Sequence, residues 1–343
     1  VVPVLAFRHL KKGINAMNKR TLGRSAIEVS ALGMGCWAIG GPFRFIDIEA
    51  GWGEVDDAES IRTVQHALAS GITFFDTAAN YGTGHSEYIL GKALEGQRDQ
   101  AVIATKFGWH TDSVAKHVKH YPNIEDIVRN VRAECEASLR RLNTDYIDLY
   151  QLHVWDYPIA QVPALLEVLE ALVREGKIRT YGWSTDSVEG ARIFAEGQHC
   201  VAIQHDLNVV KDAPQMLALC EQLQLASVNR SPLARGALTG KYSKATTFPT
   251  NDVRRDTWSW ETFFEPTLDK LNALRDVLTS GGRTLTQGAL AWIWARSPIT
   301  VPIPGIRTVA QCSENAAAMQ FGALNAEQMR QIDEIMGRTV PTA

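Results

Sequence analysis

The chain has 343 residues, 45% of them hydrophobic and 21% charged, the composition of an ordinary globular protein, and a length that suits two domains or one large barrel. A net charge of −3 and a sequence pI near 6.3 give no electrostatic reason to expect nucleic acid or an anionic membrane as partner. No run approaches the roughly 18 apolar residues of a membrane helix, and the five scattered cysteines show no zinc or redox spacing, which points to reduced thiols and a cytoplasmic protein.

Residues 1–16, VVPVLAFRHLKKGINA, place their basic residues after the apolar patch, the reverse of a secretory signal. We read them as an extension or leftover segment outside the fold, with a single domain over 17–343 that starts at Met17. Lys19–Leu22, a turn at Gly23-Arg24-Ser25 and Glu28–Leu32 predict a small β-hairpin. A strand at Ala31–Met34 then enters Gly35-Cys36-Trp37. Residues 38–55, with four glycines and a proline, predict a loop too long to be a mere connector. Asp56 and Asp57 can cap a helix that runs to Ala69.

The stretch GITFFDTAANYGTGHSE, Gly71–Glu87, begins with an apolar strand at Ile72–Phe75. Asp76 follows it, and Tyr81 sits five residues later in a loop marked by Gly82 and Gly84. An amphipathic helix carries Ile89, Leu90, Ala93 and Leu94. The next strand, Ala101–Thr105, ends in Lys106 and opens a polar loop at 107–122. Ile127, Val131, Cys135 and Leu139, spaced by four, predict a long helix over 124–142. Tyr146–Leu152 predicts a strand ending in His153.

Four further units repeat this rhythm. A helix at 160–175 leads to a strand at Ile178–Trp183 that ends in Ser184-Thr185. A helix at 187–196 leads to the strand Val201–Gln204, and a helix at 213–223 to Ala226–Arg230. After a second long loop at 231–265 come helices at 267–279 and 284–296, the strand Thr300–Pro302, and helices at 308–320 and 326–336. Close to eight strand–helix units without a linker fit a (β/α)8 TIM barrel with a short N-terminal hairpin and long rim loops. A doubly wound sheet shares the rhythm, but no G-x-G-x-x-G follows the first strand, and polar residues end many different strands, as on the rim of a barrel.

Asp76, Lys106 and His153 follow consecutive predicted strands, with Tyr81 in the first of the intervening loops. Each has a plainer reading: Asp76 as a turn residue, Lys106 as a solvated rim lysine, His153 as a packed histidine near Trp155. As a set they have a chemical logic. A phenol with an ordinary pKa of about 10 is a poor acid, and a nearby ammonium is expected to lower that value. A carboxylate holds the ammonium charged, and a histidine can orient a carbonyl oxygen. The set suits protonation of an oxygen as it becomes an alkoxide, which is what carbonyl reduction by hydride requires.

DTAANYGTGHSE, ATKFG at 104–108, the LH pair at 152–153, GWST at 182–185, IQHDLN at 203–208, SPLARGALTGKY at 231–242 and IPG…QCSEN at 303–315 together resemble the aldo-keto reductases over nearly the whole chain. The resemblance implies NADPH-dependent reduction of an aldehyde or ketone, with Asp76, Tyr81, Lys106 and His153 as the catalytic tetrad and a small carbonyl compound as partner. It implies NADPH/NADP+ in preference to NAD as cofactor. Ser184, Thr185 and Gln204 fall at the nicotinamide carboxamide, with Trp37 and Arg230 beside the ring. Ser231, Leu233 and Gly236 fall along the pyrophosphate. Gly305, Arg307, Thr308, Gln311, Glu314 and Asn315 fall at the adenosine end, where Arg307 and a helix N-terminus also suit a 2′-phosphate on physical grounds. Alternative readings are a redox-linked regulatory subunit resembling potassium-channel β subunits and an NAD-dependent sugar or alcohol dehydrogenase.

Two positions depart from the family pattern. Thr185 stands where Asn is usual, and Arg230 where an aromatic commonly stacks on the nicotinamide. Arg230 can lie flat on the ring as an aromatic does, or turn to a carboxylate. His117 and His120 lie three apart in a loop with no third metal ligand near them in sequence. Trp37, Trp52, Trp109 and Trp155 fall in rim loops, where they can wall an apolar pocket or simply pack.

Overall fold

Runs of β-branched and apolar residues become short strands, and the amphipathic stretches between them become helices that cover them. The computed structural model describes residues 19–338 other than 244 and 259; the predicted extension at 1–16 lies outside the described residues. The expected hairpin is β1 (Lys19–Thr21) paired antiparallel with β2 (Glu28–Ser30). The barrel strands are β3 (Gly33–Gly35), β6 (Phe74–Asp76), β7 (Val102–Phe107), β10 (Ile147–Leu152), β11 (Ile178–Ser184), β12 (Cys200–Asp206), β13 (Ala226–Arg230) and β14 (Thr300–Pro302). All seven neighbour pairs along this eight-stranded sheet are parallel. The barrel closes through a bridge from Gly35 to Gly305, where Gly35 N–H donates to the Pro304 carbonyl at 2.9 Å. A Cβ on Gly35 would stand 2.7 Å from the Ile303 carbonyl oxygen, so the close approach needs glycine.

Two apolar layers result. Phe74, Ala104, Leu149, Ala202, Val228 and Val301 fill the barrel, and Leu22, Ile27 and Val29 of the hairpin belong to the same cluster, sealing one end of it. The larger layer lies between strands and helices. Its helices include α1 (Asp57–Ala69), α2 (His85–Ala93), α3 (Glu125–Leu142), α4 (Val162–Arg174), α5 (Val188–Phe194) and α6 (Pro214–Gln222). The later ones are α7 (Val253–Thr257), α8 (Glu265–Thr279), α9 (Leu285–Arg296), α10 (Val309–Phe321) and α11 (Ala326–Ile335). Asp56 caps α1 as expected, accepting from the Ala58 and Glu59 amides. The Ile127–Val131–Cys135 stripe of α3 is buried, and the helix stops at Asn143 in left-handed geometry. No helix among the described residues is long and apolar enough to cross a membrane.

The structure departs from the expected loops at three places, one of them the short helix α7 within residues 231–265. Residues 38–55 contain β4 (Arg44–Phe45) and β5 (Ile48–Glu49), and residues 107–122 contain β8 (His110–Asp112) and β9 (His117–Lys119). They form a four-stranded sheet in the order β5-β4-β9-β8 on the rim. Its strands are two or three residues long, too short for alternation, and its central pair joins segments about 70 residues apart. Beneath it, Glu134 on α3 accepts from the Gly108 amide at 3.1 Å and from the Tyr121 hydroxyl at 2.9 Å. His117 and His120 face different partners, His117 the Ile46 carbonyl and His120 the ring of Trp109.

Candidate active site

Alternation along the strands carries polar side chains into the mouth of the barrel. Asp76 is the last residue of β6, while Lys106 lies inside β7 rather than after it, because the strand runs on through Phe107. In register, Lys106 stands opposite Gln151 of β10. His153 follows β10 directly, its amide donating to the Phe107 carbonyl at 2.9 Å. Tyr81 sits on a short helical turn, which Gly82 continues with a φ of 58°. A Cβ on Gly82 would collide with the Gly40 carbonyl at 1.7 Å, so the turn that aims the phenol depends on that glycine.

Lys106 is fully buried, and its ammonium donates to three acceptors: Asp76 Oδ1 at 2.5 Å, the Thr77 carbonyl at 2.7 Å and Tyr81 Oη at 3.2 Å. Three N–H donors meet three acceptors, which is what a buried lysine needs to stay charged. Burial pulls its pKa down, and Asp76 and Tyr81 outweigh that, holding it above the usual lysine value. The other carboxylate oxygen, Asp76 Oδ2, accepts from Gln204 Nε2 at 2.7 Å and Gln151 Nε2 at 3.1 Å.

The Tyr81 ring lies between Trp37, stacked at 5.7 Å, and His153, edge-on at 5.8 Å. Its pKa corrects the expectation from the sequence. Burial raises it more than Lys106 lowers it, so the phenol sits above its ordinary value. The physical reason is that Asp76 neutralises much of the lysine's charge while Trp37 and His153 pack against the ring and displace water from it. His153 is driven well below the ordinary imidazole value, first by burial and then by the positive charges of Lys106 and Arg230. It is therefore neutral near pH 7, with one N–H to donate.

These groups open into a cavity of about 740 Å³. Of the residues expected to hold a cofactor, Trp37, Ser184, Gln204, Arg230, Ser231, Leu233, Gly236, Gly305, Arg307, Gln311, Glu314 and Asn315 line it. Thr185 and Thr308 do not. The Thr185 hydroxyl donates to the Trp155 carbonyl at 2.9 Å, and Thr308 caps α10 by accepting from the Gln311 amide. Gln204 is committed to Asp76, with its own oxygen accepting from Ser184 at 3.4 Å. Arg230 takes the carboxylate alternative, reaching Asp186 at 2.6 Å and Asp206 at 3.5 Å. Arg307 donates to the Trp52 carbonyl at 2.7 Å, and its amide to Gln311 Oε1 at 2.9 Å.

Several groups in or beside the site escaped the sequence reading. Gln151 lies inside β10, opposite Lys106 and two residues before His153, which directly follows the strand. Arg235 lies 4.0 Å over the ring of Trp258, and Arg254 packs on Trp52 and pairs with Asp252 at 2.5 Å. No local signal marks either arginine, because their partners lie in loops without periodicity. Among the described residues no group of three metal-ligating side chains converges.

Comparison with known proteins agrees with this geometry. The model of the aldo/keto reductase family matches residues 31–336. The chain is 32% identical to the aldo-keto reductase YhdN of Bacillus subtilis over 332 residues, covering 94% of this chain and 95% of that protein. It is 30% identical to an NADH-specific methylglyoxal reductase of Escherichia coli, covering 94% and 100%. Among solved structures, a glycerol dehydrogenase from Gluconobacter oxydans superposes with a TM-score of 0.80 at 31% identity, covering 96% of this chain and 98% of that one. An aldo-keto reductase from Klebsiella pneumoniae in complex with NADPH gives 0.67 at 25% identity, covering 95% and 98%. With a buried Asp–Lys pair beside Tyr81 at the mouth of an eight-stranded parallel barrel and a family match over most of its length, the chain belongs to the aldo/keto reductase family and is an NAD(P)H-dependent oxidoreductase.

Proposed function

We propose that the protein reduces an aldehyde or ketone with NADPH, using the tetrad Asp76, Tyr81, Lys106 and His153, as one cytoplasmic catalytic domain over residues 17–343. The observation that carries this reading is the Lys106 ammonium, held by Asp76 and donating to the Tyr81 hydroxyl at 3.2 Å inside the cavity. The cavity's chemistry fits an anionic dinucleotide. Arg235, Lys241, Arg254 and Arg307 line it, as do the indole N–H of Trp52 and the hydroxyl of Thr286, both buried without a hydrogen-bond partner. Gly236, Ser231 and Leu233 would lie along the pyrophosphate. Ser184, Trp37 and Arg230 would flank the nicotinamide, whose bound reduced form supplies a hydride. Gly305, Gln311, Glu314 and Asn315 would hold the adenosine, with Arg307 favouring a 2′-phosphate and hence NADPH.

The residues of this chain then do the rest. His153, neutral near pH 7, donates its one N–H to the carbonyl oxygen and orients it. Tyr81 keeps its proton in the resting site because burial disfavours the phenolate. It gives that proton up once the oxygen becomes an alkoxide, a far stronger base than phenolate. Lys106 stabilises the phenolate left behind, and Asp76 keeps Lys106 charged. The same set run backwards oxidises an alcohol, in keeping with the dehydrogenase among the structural neighbours.

Tyr81→Phe retains the ring and removes only the hydroxyl. We expect NADPH binding to survive while reduction falls by about two orders of magnitude or more. Steady-state rates with NADPH and with NADH, alongside a fluorescence titration of the cofactor, check both halves. Near wild-type turnover in Tyr81→Phe would end the mechanism.

A further inference from the structure

Three consecutive strand ends carry a charge network to one wall of the cavity. Arg230 ends β13 and stands in register with Asp206, which ends β12, while Asp186 lies just past Ser184 at the end of β11. Asp186 joins the other two: its Oδ1 accepts from the Asp206 amide at 2.9 Å and its Oδ2 from the Arg230 guanidinium at 2.6 Å. Asp206 is shared. Lys211 reaches its Oδ2 at 2.9 Å, nearer than Arg230 at 3.5 Å, and stands 3.7 Å from Asp186. The charge of Arg230 is therefore balanced mainly by Asp186, and both of these residues line the cavity. The balance is incomplete on the side of the tetrad, because the positive charge of Arg230 is felt at His153.

A hydride delivered to a carbonyl held between Tyr81 and His153 must come from a ring lying against those residues, within reach of the charge that acts on His153. The two forms of that ring differ in charge. The reduced ring is neutral, and loss of the hydride leaves the oxidised ring with one positive charge, while the phosphates are common to both. A cation fixed in the cavity wall tells the two forms apart. Resting on the reductase reading above, we propose that Arg230 weights binding towards the reduced dinucleotide and that Asp186, by neutralising part of its charge, sets how far. The weighting serves carbonyl reduction, because the reactant form is held and the cationic product form is repelled into release. The Asp186 carboxylate keeps that repulsion small enough not to oppose hydride transfer, in which positive charge develops on the ring.

The test titrates NADPH and NADP+ separately into wild type, Arg230→Leu, Arg230→Lys and Asp186→Asn, with binding read by calorimetry and no substrate present. The quantity compared is the ratio of the NADP+ to the NADPH dissociation constant, in which a general loosening of the cavity cancels. Wild type is expected to bind NADPH more tightly. Arg230→Leu should lower the ratio by about fivefold and Asp186→Asn should raise it by about as much, each changing one charge in a partly solvated wall. Arg230→Lys keeps the charge and should stay near wild type. NAD+ and NADH should show the same shifts, because the ring and not the 2′-phosphate carries them. An unchanged ratio in Arg230→Leu, or a wild type that prefers NADP+, overturns the proposal. So do shifts of the same sign in Arg230→Leu and Asp186→Asn, the mark of a merely structural role. Failure of wild type to bind either pair of dinucleotides overturns the cofactor reading, and this proposal with it.

Discussion

Lys106 and Asp76 form a fully satisfied buried pair, and the satisfaction comes from four neighbours, two on each side. Such a pair is strongly destabilising to break, because removing one partner leaves a polar group buried and unmet. Gln151→Leu removes one of the two amide donors on Asp76 Oδ2 while keeping the shape of the side chain. A lost hydrogen bond to a charged acceptor predicts a stability loss of about 1.5–3 kcal/mol. The effect on rate should fall on kcat more than on KM, since Gln151 touches the tetrad and does not line the cavity. Urea unfolding and steady-state kinetics on the variant check both; an unchanged midpoint would mean that water replaces the amide. The proposed tetrad was legible because strand ends and the DTAANYGTG loop are local patterns, which also resemble the family's motifs. The amides of Gln151 and Gln204 reach Asp76 from 75 and 128 residues away, and no spacing announces that.

Among the elements, the rim sheet is tied to α3 by the side chain of Glu134. Glu134 on α3 accepts from both ends of the segment that contains β8 and β9, through Gly108 and Tyr121. Glu134→Ala should therefore loosen residues 108–121 while leaving the barrel intact. Two hydrogen bonds to one acceptor predict amide exchange in that segment faster by about tenfold or more, with barrel strands unaffected. Hydrogen-exchange mass spectrometry reads this directly, and uniform protection would show that strand pairing alone holds the sheet. The barrel strands and the helices other than the five-residue α7 were predictable from their periodicity. The rim sheet was not, because pairing between distant two-residue segments leaves no periodic trace.

For the molecule as a whole, buried histidines set a direction for stability against pH. His205 on β12 is buried, with Nε2 within 2.7 Å of Ser227 Oγ, and burial pushes its pKa down from 6.5 to about 4. Above about pH 6.5 it is neutral folded and unfolded, and its contribution is complete. As pH falls from about 6.5 to about 4 the unfolded chain takes up the proton and the native state does not, so stability is lost. The full loss is about 3 kcal/mol. His153 acts in the same direction. Glu134, pushed up from 4.5 to about 7 mainly by burial, acts oppositely: its contribution is full below about 4.5 and is lost as pH rises through about 7. Urea unfolding at pH 7.5 and pH 4.5 should show His205→Gln losing about 3 kcal/mol less across that interval than wild type. Equal losses would assign the acid slope to other groups.

The sequence by itself determined the succession of strand–helix units and placed Asp76, Lys106 and His153 at or near the ends of barrel strands, because both follow from local periodicity. It thereby named Asp76, Tyr81, Lys106 and His153. Tertiary structure decided what those residues experience. Whether Lys106 lowers the Tyr81 pKa depends on how deeply the ring is buried, a property of Trp37, His153 and the loops around them, and burial outweighed the charge. Arg230 had open readings until Asp206 on the neighbouring β12 and Asp186, just past the end of β11, were brought beside it. The cavity likewise emerges only when the strand ends and the long rim loops meet. Desolvation and pairing are sums over neighbours distant in sequence, and only the closed barrel chooses those neighbours.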